Sequence, residues 1–186
     1  MNIKIGVSNR HVHLSNEDFT ILFGNKSLEK YKDLSQPGQF ASTSIVTLKT
    51  NKSIIENVRV VGPLRSYTQV EISKTDSYKL GINPPIRNSG DLKDAEEITI
   101  IGLNGSITKK CCIIATRHIH ISLEQLKTLN LSDREFVDIF IPGEKSTILK
   151  DVYLKSSAVA TLELHLDTDD ANGCLVKNGD IARIII

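Results

Sequence analysis

Residues 8–15 read SNRHVHLS, and residues 115–122 read ATRHIHIS. Each copy follows a short apolar stretch, and each ends in a serine that is typical of a helix N-cap. The unit of strand, Arg-His-x-His and capped helix therefore occurs twice. A repeat of this kind indicates an internal duplication, in which two related domains carry sites that are built alike.

The rest of the chain is a series of short segments rich in valine, isoleucine and threonine, bounded by turn residues. We predict strands over residues 3–9, 44–50, 53–61, 69–73, 97–102, 110–116, 136–141, 147–154, 161–166 and 181–186. Asn104-Gly105 and Asn178-Gly179 predict tight turns. Residues 24–43 predict a loop-rich insertion. The expected fold class is mainly β, with two small β-barrel domains capped by short α-helices.

The composition excludes several broad classes of function. The chain has 186 residues and a net charge of +1, which does not favour a general nucleic-acid binder. No apolar run approaches the ~20 residues that cross a bilayer, and the N-terminal residues lack a secretory signal pattern. The odd set of cysteines, Cys111, Cys112 and Cys174, favours a reducing compartment. We expect a cytoplasmic protein with neither nucleic acid nor membrane as partner.

Four of the five histidines lie in the two His-x-His pairs, His11 with His13 and His118 with His120. Residues i and i+2 of a strand project from the same face, so both imidazoles of a pair can bind one ion. His165 lies in a predicted strand and can complete a three-ligand site. A single pair is more often structural, but a duplicated pair that uses nearly every histidine favours metal binding. Ligand preference favours zinc.

A segment between the two copies, residues 56–73, adds an arginine and a carboxylate. Arg65 follows a Gly-Pro turn, and its planar guanidinium suits a phosphate or a carboxylate. Glu71 lies in an alternating stretch and can supply a third ligand to a His-x-His zinc site. In isolation each would be interpreted as a solvated strand charge. Their place between two histidine motifs makes them candidate site residues.

Several long stretches also carry a family resemblance. They are GVSNRHVHLS, ENVRVVGPLRSYTQVEIS, LGINPPIRNSGDL, ATRHIHIS, LHLDTDDAN and KNGD, in this order. Over nearly its whole length the chain resembles the phosphate propanoyltransferases, a family of phosphotransacylases. The resemblance implies an acyltransferase that interconverts acyl-CoA plus phosphate with acyl phosphate plus CoA, with propanoyl and acetyl groups both open. It also implies two zinc ions per chain.

The resemblance assigns roles to individual residues. One zinc would bind His11, His13 and Glu71, and the other would bind His118, His120 and His165. Arg65 would be the catalytic, phosphate-binding residue. The implied CoA-binding residues are Val7, Ser8, Asn9, Lys52, Arg59 and Asn172.

The resemblance also implies domain boundaries and an assembly. Residues 1–9 and 116–186 would form a discontinuous barrel, and residues 10–115 would form the other. A homo-oligomer is implied as well. Relatives in bacterial microcompartments carry an additional N-terminal targeting peptide, whereas this chain begins at its first predicted strand. We expect either a free cytoplasmic enzyme or one associated with a microcompartment.

Two other functions use the same histidines. A zinc hydrolase would attack an ester or amide with metal-bound hydroxide and would need no phosphate. A structural metal module would use zinc to lock the fold, with closed four-ligand coordination.

Overall fold

The computed structural model describes residues 1–185, which form two closed six-stranded β-barrels and four short helices. This architecture confirms the predicted fold class. The strands are β1 (Asn2–Ser8), β2 (His11–His13), β3 (Lys30–Asp33), β4 (Phe40–Lys49), β5 (Ile54–Gly62), β6 (Gln69–Glu71), β7 (Ile86–Arg87), β8 (Glu96–Ile101), β9 (Ser106–Ala115), β10 (His118–Ser122), β11 (Phe136–Ile141), β12 (Thr147–Ser157), β13 (Glu163–Asp167) and β14 (Ile181–Ile185). The helices are α1 (Asn16–Phe23), α2 (Lys74–Leu80), α3 (Leu123–Thr128) and α4 (Thr168–Cys174). Ile186, the end of the last predicted strand, lies outside the described residues.

The chain divides into two units, and the first contains the N-terminal strand. Among the described residues, unit 1 comprises Met1–Ser8, Ser35–Pro37 and 116–185. Its barrel has the strand order β1-β13-β10-β12-β11-β14, closed by the antiparallel pair of β1 and β14. Alternate residues of these strands fill the barrel interior, among them Ile5 and Ile119. The alternation places the intervening residues of each strand on the outer face.

Unit 2 comprises Asn9–Leu34 and Gly38–Ala115. Its barrel runs β4-β5-β2-β6-β9-β8 and closes because β8 pairs with both β9 and β4. Strands β3 and β7 extend this sheet at β4 and β9. The core is again aliphatic, with Val12 and Val70 fully buried.

The two barrels have the same topology, as the sequence repeat predicted. In unit 2, β2 lies parallel to β5 and antiparallel to β6; in unit 1, β10 lies parallel to β12 and antiparallel to β13. Strand β9 of unit 2 occupies the position that β1 occupies in unit 1, parallel to the strand that carries the third candidate ligand. Strand β1, which precedes the first His-x-His motif, therefore belongs to unit 1, while that motif lies in unit 2. Strand β9, which precedes the second motif, belongs to unit 2, while that motif lies in unit 1.

Local signals explain where the helices begin. The side chains of Ser15 and Ser122 accept hydrogen bonds from the backbone N–H three residues on, and Ser122 forms a full capping box with Gln125. Helices α2 and α4 begin at the N-caps Ser73 and Asp167. None of the helices in residues 1–185 has the length and apolar character to cross a membrane.

The segment 24–43 differs from its prediction as a loop. Residues 30–33 form β3 and pair with the first half of β4, which begins at Phe40. Every residue of β3 is exposed, so its sequence lacks the alternating apolar pattern by which strands are recognised.

The three cysteines are free and buried, as expected for small apolar side chains. Burial raises the pKa of the Cys111 thiol to about 12.

An ion pair between the buried Asp18 and the half-exposed Lys109 joins the start of α1 to the barrel of unit 2. Asp18 is 1% exposed and accepts hydrogen bonds from Lys109 Nζ at 2.7 Å and from the Thr68 hydroxyl at 2.5 Å. Burial raises the pKa of Asp18, but the hydrogen bonds from Lys109 and Thr68 outweigh burial and lower it below its usual value. Asp18 is therefore ionised at neutral pH.

We expect Asp18→Asn to lower the free energy of unfolding by about 1.5–3 kcal/mol at pH 7, because hydrogen bonds to a charged acceptor are lost. The folded-state pKa lies below the unfolded one, so this contribution is present above the unfolded pKa and is lost as pH falls through the folded pKa. Urea unfolding of both proteins between pH 7 and pH 3 measures the difference. Asp133→Asn, at an exposed position, is the control. A difference that is unchanged at the lowest pH would contradict the assignment.

Candidate metal centres

The site of unit 2 lies on the ladder between β2 and β6. His11 pairs with Glu71, and His13 pairs with Gln69. Because the intervening Val12 is in the barrel core, these four side chains project from the outer face. His11 Nε2 lies 3.5 Å from Glu71 Oε2, and His13 Nε2 lies 3.9 Å from Glu71 Oε1. Two imidazoles and one carboxylate therefore converge, with ligand atoms within 4.8 Å of one another.

Backbone carbonyls fix the orientation of both imidazoles. His11 Nδ1 is 2.9 Å from the carbonyl oxygen of Asn9, and His13 Nδ1 is 3.2 Å from that of Val61. A carbonyl accepts, so each Nδ1 carries the hydrogen and each Nε2 is left with a lone pair that is directed at Glu71. Burial, together with the nearby His11 and Arg65, lowers the pKa of His13 well below its usual value. Both features suit a neutral metal ligand.

The site of unit 1 is built on the equivalent strands, β10 and β13. His118 pairs with His165, and His120 pairs with Glu163. His118 Nδ1 donates to the carbonyl of Thr116 at 2.8 Å, and its Nε2 lies 3.2 Å from His120 Nε2. The ligand atoms of the three histidines lie within 4.8 Å of one another. The structure thus brings together each set of three residues that the resemblance implied.

Glu163 is a neighbour of the three-histidine cluster that the sequence analysis missed. It is 8% exposed, and its Oε2 accepts a hydrogen bond from His165 Nε2 at 2.7 Å. Burial raises the pKa of Glu163, but hydrogen bonds from His165 and Ser35 lower it below its usual value overall. The spacing of Glu163 and His165, two residues apart in a strand, is the sequence signal that could have identified it.

Arg65 is held in unit 2 by its backbone and by one edge of its guanidinium. Its backbone N–H donates to the carbonyl of Leu14, just after the His-x-His strand, at 2.9 Å. Its Nη1 donates to the hydroxyls of Tyr67 and Ser89, each at 3.1 Å. Within residues 1–185 its side-chain hydrogen bonds are made by Nη1, so Nε and Nη2 remain to bind an anion.

Gln69 connects Arg65 to the metal-ligand cluster of unit 2. Its side-chain Oε1 accepts from the backbone N–H of Gly90 at 2.7 Å, which fixes the orientation of the amide. Its Nε2 then donates to Glu71 Oε1 at 2.5 Å and to Ser89 Oγ at 2.9 Å. Ser89 therefore accepts from both Gln69 and Arg65. A continuous hydrogen-bond network runs from the candidate phosphate residue to the candidate ligand Glu71.

The candidate CoA-binding residues are distributed over both units. Val7, Ser8 and Asn172 lie in unit 1, and Asn9, Lys52 and Arg59 lie in unit 2. Lys52 Nζ donates to the carbonyl of Tyr78 at 2.9 Å, and Arg59 Nη1 donates to the carbonyl of Ser42 at 3.0 Å. Binding of an anionic cofactor by either cation would share or replace these bonds.

The donor sets fit zinc. Two imidazoles with a carboxylate and three imidazoles are both typical of catalytic zinc, which keeps a coordination position open for water or substrate. The two ordered Nδ1–H···O=C contacts in unit 2 and the one at His118 are the second layer of hydrogen bonds that zinc-binding histidines usually make. Both clusters could hold a divalent cation that polarises a carbonyl or stabilises an anion.

Comparisons with known proteins agree on one family. The family model of phosphate propanoyltransferase matches residues 4–177. A phosphate propanoyltransferase of Thermotoga maritima is 46% identical over 98% of this chain and 89% of that protein. One of Priestia megaterium is 49% identical over 96% of this chain and 83% of that protein. One of Rhodopseudomonas palustris is 44% identical over 98% of this chain and 81% of that protein.

Proposed function

The chain belongs to the phosphate propanoyltransferase family and is an acyltransferase, and we propose that it is a zinc-dependent enzyme that exchanges acyl groups between CoA and inorganic phosphate. The observation that carries the proposal is the network in unit 2, because it joins an anion-binding arginine to a metal-ligand cluster. Propanoyl-CoA and acetyl-CoA are the proposed acyl donors. Two zinc ions per chain are proposed, one for each cluster.

The reaction needs positioning more than acid–base catalysis. A phosphate oxygen attacks the thioester carbonyl carbon, the C–S bond breaks and CoA leaves as the thiolate. Phosphate is already an anion at neutral pH, so no residue has to act as a strong base. Arg65 would bind two phosphate oxygens through Nε and Nη2 and turn the third toward the thioester. Zinc, when bound, would supply positive charge for the carbonyl oxygen or the departing sulfur.

Release of free thiol from acyl-CoA tests the proposal against hydrolysis. We expect the purified protein, loaded with zinc, to release thiol from propanoyl-CoA and acetyl-CoA when phosphate is added, with acyl phosphate formed in equal amount. Chelated protein is the control and should be inactive until zinc is restored. Equal release with and without phosphate would contradict transfer and support the hydrolase.

Ser89 offers a more local test. We expect Ser89→Ala to raise the KM for phosphate about 5- to 10-fold with a smaller change in kcat, because Arg65 and Gln69 both lose an acceptor worth about 1–1.5 kcal/mol. Steady-state kinetics at varied phosphate measure both constants. Ser66→Ala, an exposed serine next to Arg65, is the matched control. An unchanged KM in Ser89→Ala would show that the network does not orient the arginine.

Self-association, cytoplasmic location and association with a microcompartment stay predictions. Sedimentation or light scattering of the purified chain over a range of concentrations measures self-association directly.

A further inference from the structure

The two metal-ligand clusters use the same four strand positions but distribute their side chains differently. On β2 and β6 the paired residues are His11 with Glu71 and His13 with Gln69. On β10 and β13 they are His118 with His165 and His120 with Glu163. Each set of four therefore contains one carboxylate. In unit 2 it stands opposite the first histidine, and in unit 1 it stands opposite the second.

In unit 2 the position opposite the second histidine has a clear role. Gln69 is fully buried, and its Nε2 donates to Glu71 Oε1 at 2.5 Å. Gln69, two residues before Glu71 on the same face of β6, thus orients this third candidate ligand. Glu163 is the positional equivalent of Gln69. It also contacts the third candidate ligand of its cluster, but as an acceptor, with its Oε2 2.7 Å from His165 Nε2.

A segment distant in the chain holds Glu163 in place. Residues 35–37 belong to unit 1, although the chain before and after them belongs to unit 2. The hydroxyl of Ser35 donates a hydrogen bond to Glu163 Oε2. The amide of Gln36 donates to the carbonyl of Thr161 at 3.0 Å and accepts from its backbone N–H at 3.2 Å. The hydroxyl of Thr161 in turn donates to the carbonyl of Ser35 at 2.8 Å. These bonds fix the segment against the start of β13.

The barrel also leaves space for this carboxylate. Gly6 on β1 pairs with His165, and a Cβ at Gly6 would lie 2.9 Å from Glu163 Cδ and 3.1 Å from His165 Cδ2. Any other residue would displace one of the two side chains. The glycine therefore lets both lie over β1.

We propose that Glu163 is the carboxylate of the three-histidine metal site, held by Ser35 and the Gln36 segment, and that it orients His165 and offsets the charge of the bound cation. Each loaded site then contains one divalent cation and one carboxylate and has the same formal charge. A buried cation without a nearby anion would be costly, so a carboxylate beside the three imidazoles would stabilise the loaded site. The inference rests on the proposed function, because it assumes that the cluster binds zinc.

Retention of zinc tests the role of Glu163 without an activity measurement. The protein is loaded with two ions and dialysed against chelator of increasing concentration, and its zinc is counted by elemental analysis. We expect Glu163→Gln to lose one ion at about 10- to 100-fold lower chelator concentration than the wild type, and to keep the other ion unchanged. Glu97→Gln, at an exposed position of β8, is the matched control and should behave as the wild type.

Two further variants separate a role at the metal from a role in folding. The double variant Glu163→Gln with His165→Glu reproduces the arrangement of unit 2, and we expect it to retain both ions. Ser35→Ala changes an exposed residue and should weaken retention of the same ion in the same direction, by a smaller factor. If the wild type binds two ions and Glu163→Gln retains both of them equally well, this inference is overturned and the proposed function is left intact. A wild type that binds no zinc would overturn both.

Discussion

Arg65→Ala is expected to lower kcat/KM for phosphate by about 10²- to 10³-fold, whereas the KM for acyl-CoA should change little. The guanidinium is anchored through Nη1 to Tyr67 and Ser89, so its Nε and Nη2 present a pair of donors in a fixed orientation. Arg65→Lys should recover little of the loss, because an ammonium presents a point charge in place of a planar fork. Initial rates of thiol release at varied phosphate measure each constant.

A chemical control accompanies this prediction. Added guanidinium ion should restore part of the activity of Arg65→Ala and none of that of Arg65→Lys, because the alanine variant leaves a space of the right shape. Arg134→Ala, which removes an exposed arginine of unit 1, should match the wild type. If Arg65→Ala kept the phosphate dependence and turnover of the wild type, Arg65 would not be the phosphate-binding residue.

The histidine clusters show what a sequence pattern can establish. The period of two in His-x-His places both imidazoles of a pair on one strand face, and that much follows from the geometry of any strand. The partner strand does not follow from it. Glu71 lies far along the chain from His11, and the register that pairs them depends on how the whole barrel closes. The family resemblance supplied that pairing, and the structure places the two side chains accordingly.

Ser35 and Glu163 show where the sequence was insufficient. The predicted loop at residues 24–43 carries no pattern that would direct residues 35–37 to the start of β13. The hydrogen bonds that Gln36 and Ser35 make there join residues at least 125 positions apart in the chain. Polar contacts of this kind depend on the path of a loop, which local propensity does not determine. Strand β3 was missed for a related reason, because a fully exposed edge strand has no apolar alternation to detect.

His11→Ala and His118→Ala are expected to remove one zinc ion each and to lower transfer activity by at least about 10³-fold. They are matched variants, because each histidine is the first of its pair and stands opposite the third candidate ligand of its own cluster. Elemental analysis of each purified variant should give one ion per chain against two in the wild type, and the double variant should give none. Thiol release with saturating phosphate and acyl-CoA measures the activity.

The comparison between the two variants decides whether both clusters serve the reaction. His11 lies in the cluster that the network through Gln69 joins to Arg65, so His11→Ala should also raise the KM for phosphate measured on its residual activity. No such network joins His118 to Arg65 within the described residues of unit 1, so His118→Ala should lower kcat and leave the KM for phosphate unchanged. Far-UV circular dichroism and thermal unfolding check that each variant keeps its barrels. Full activity in either variant after its ion is lost would restrict zinc at that cluster to a structural role.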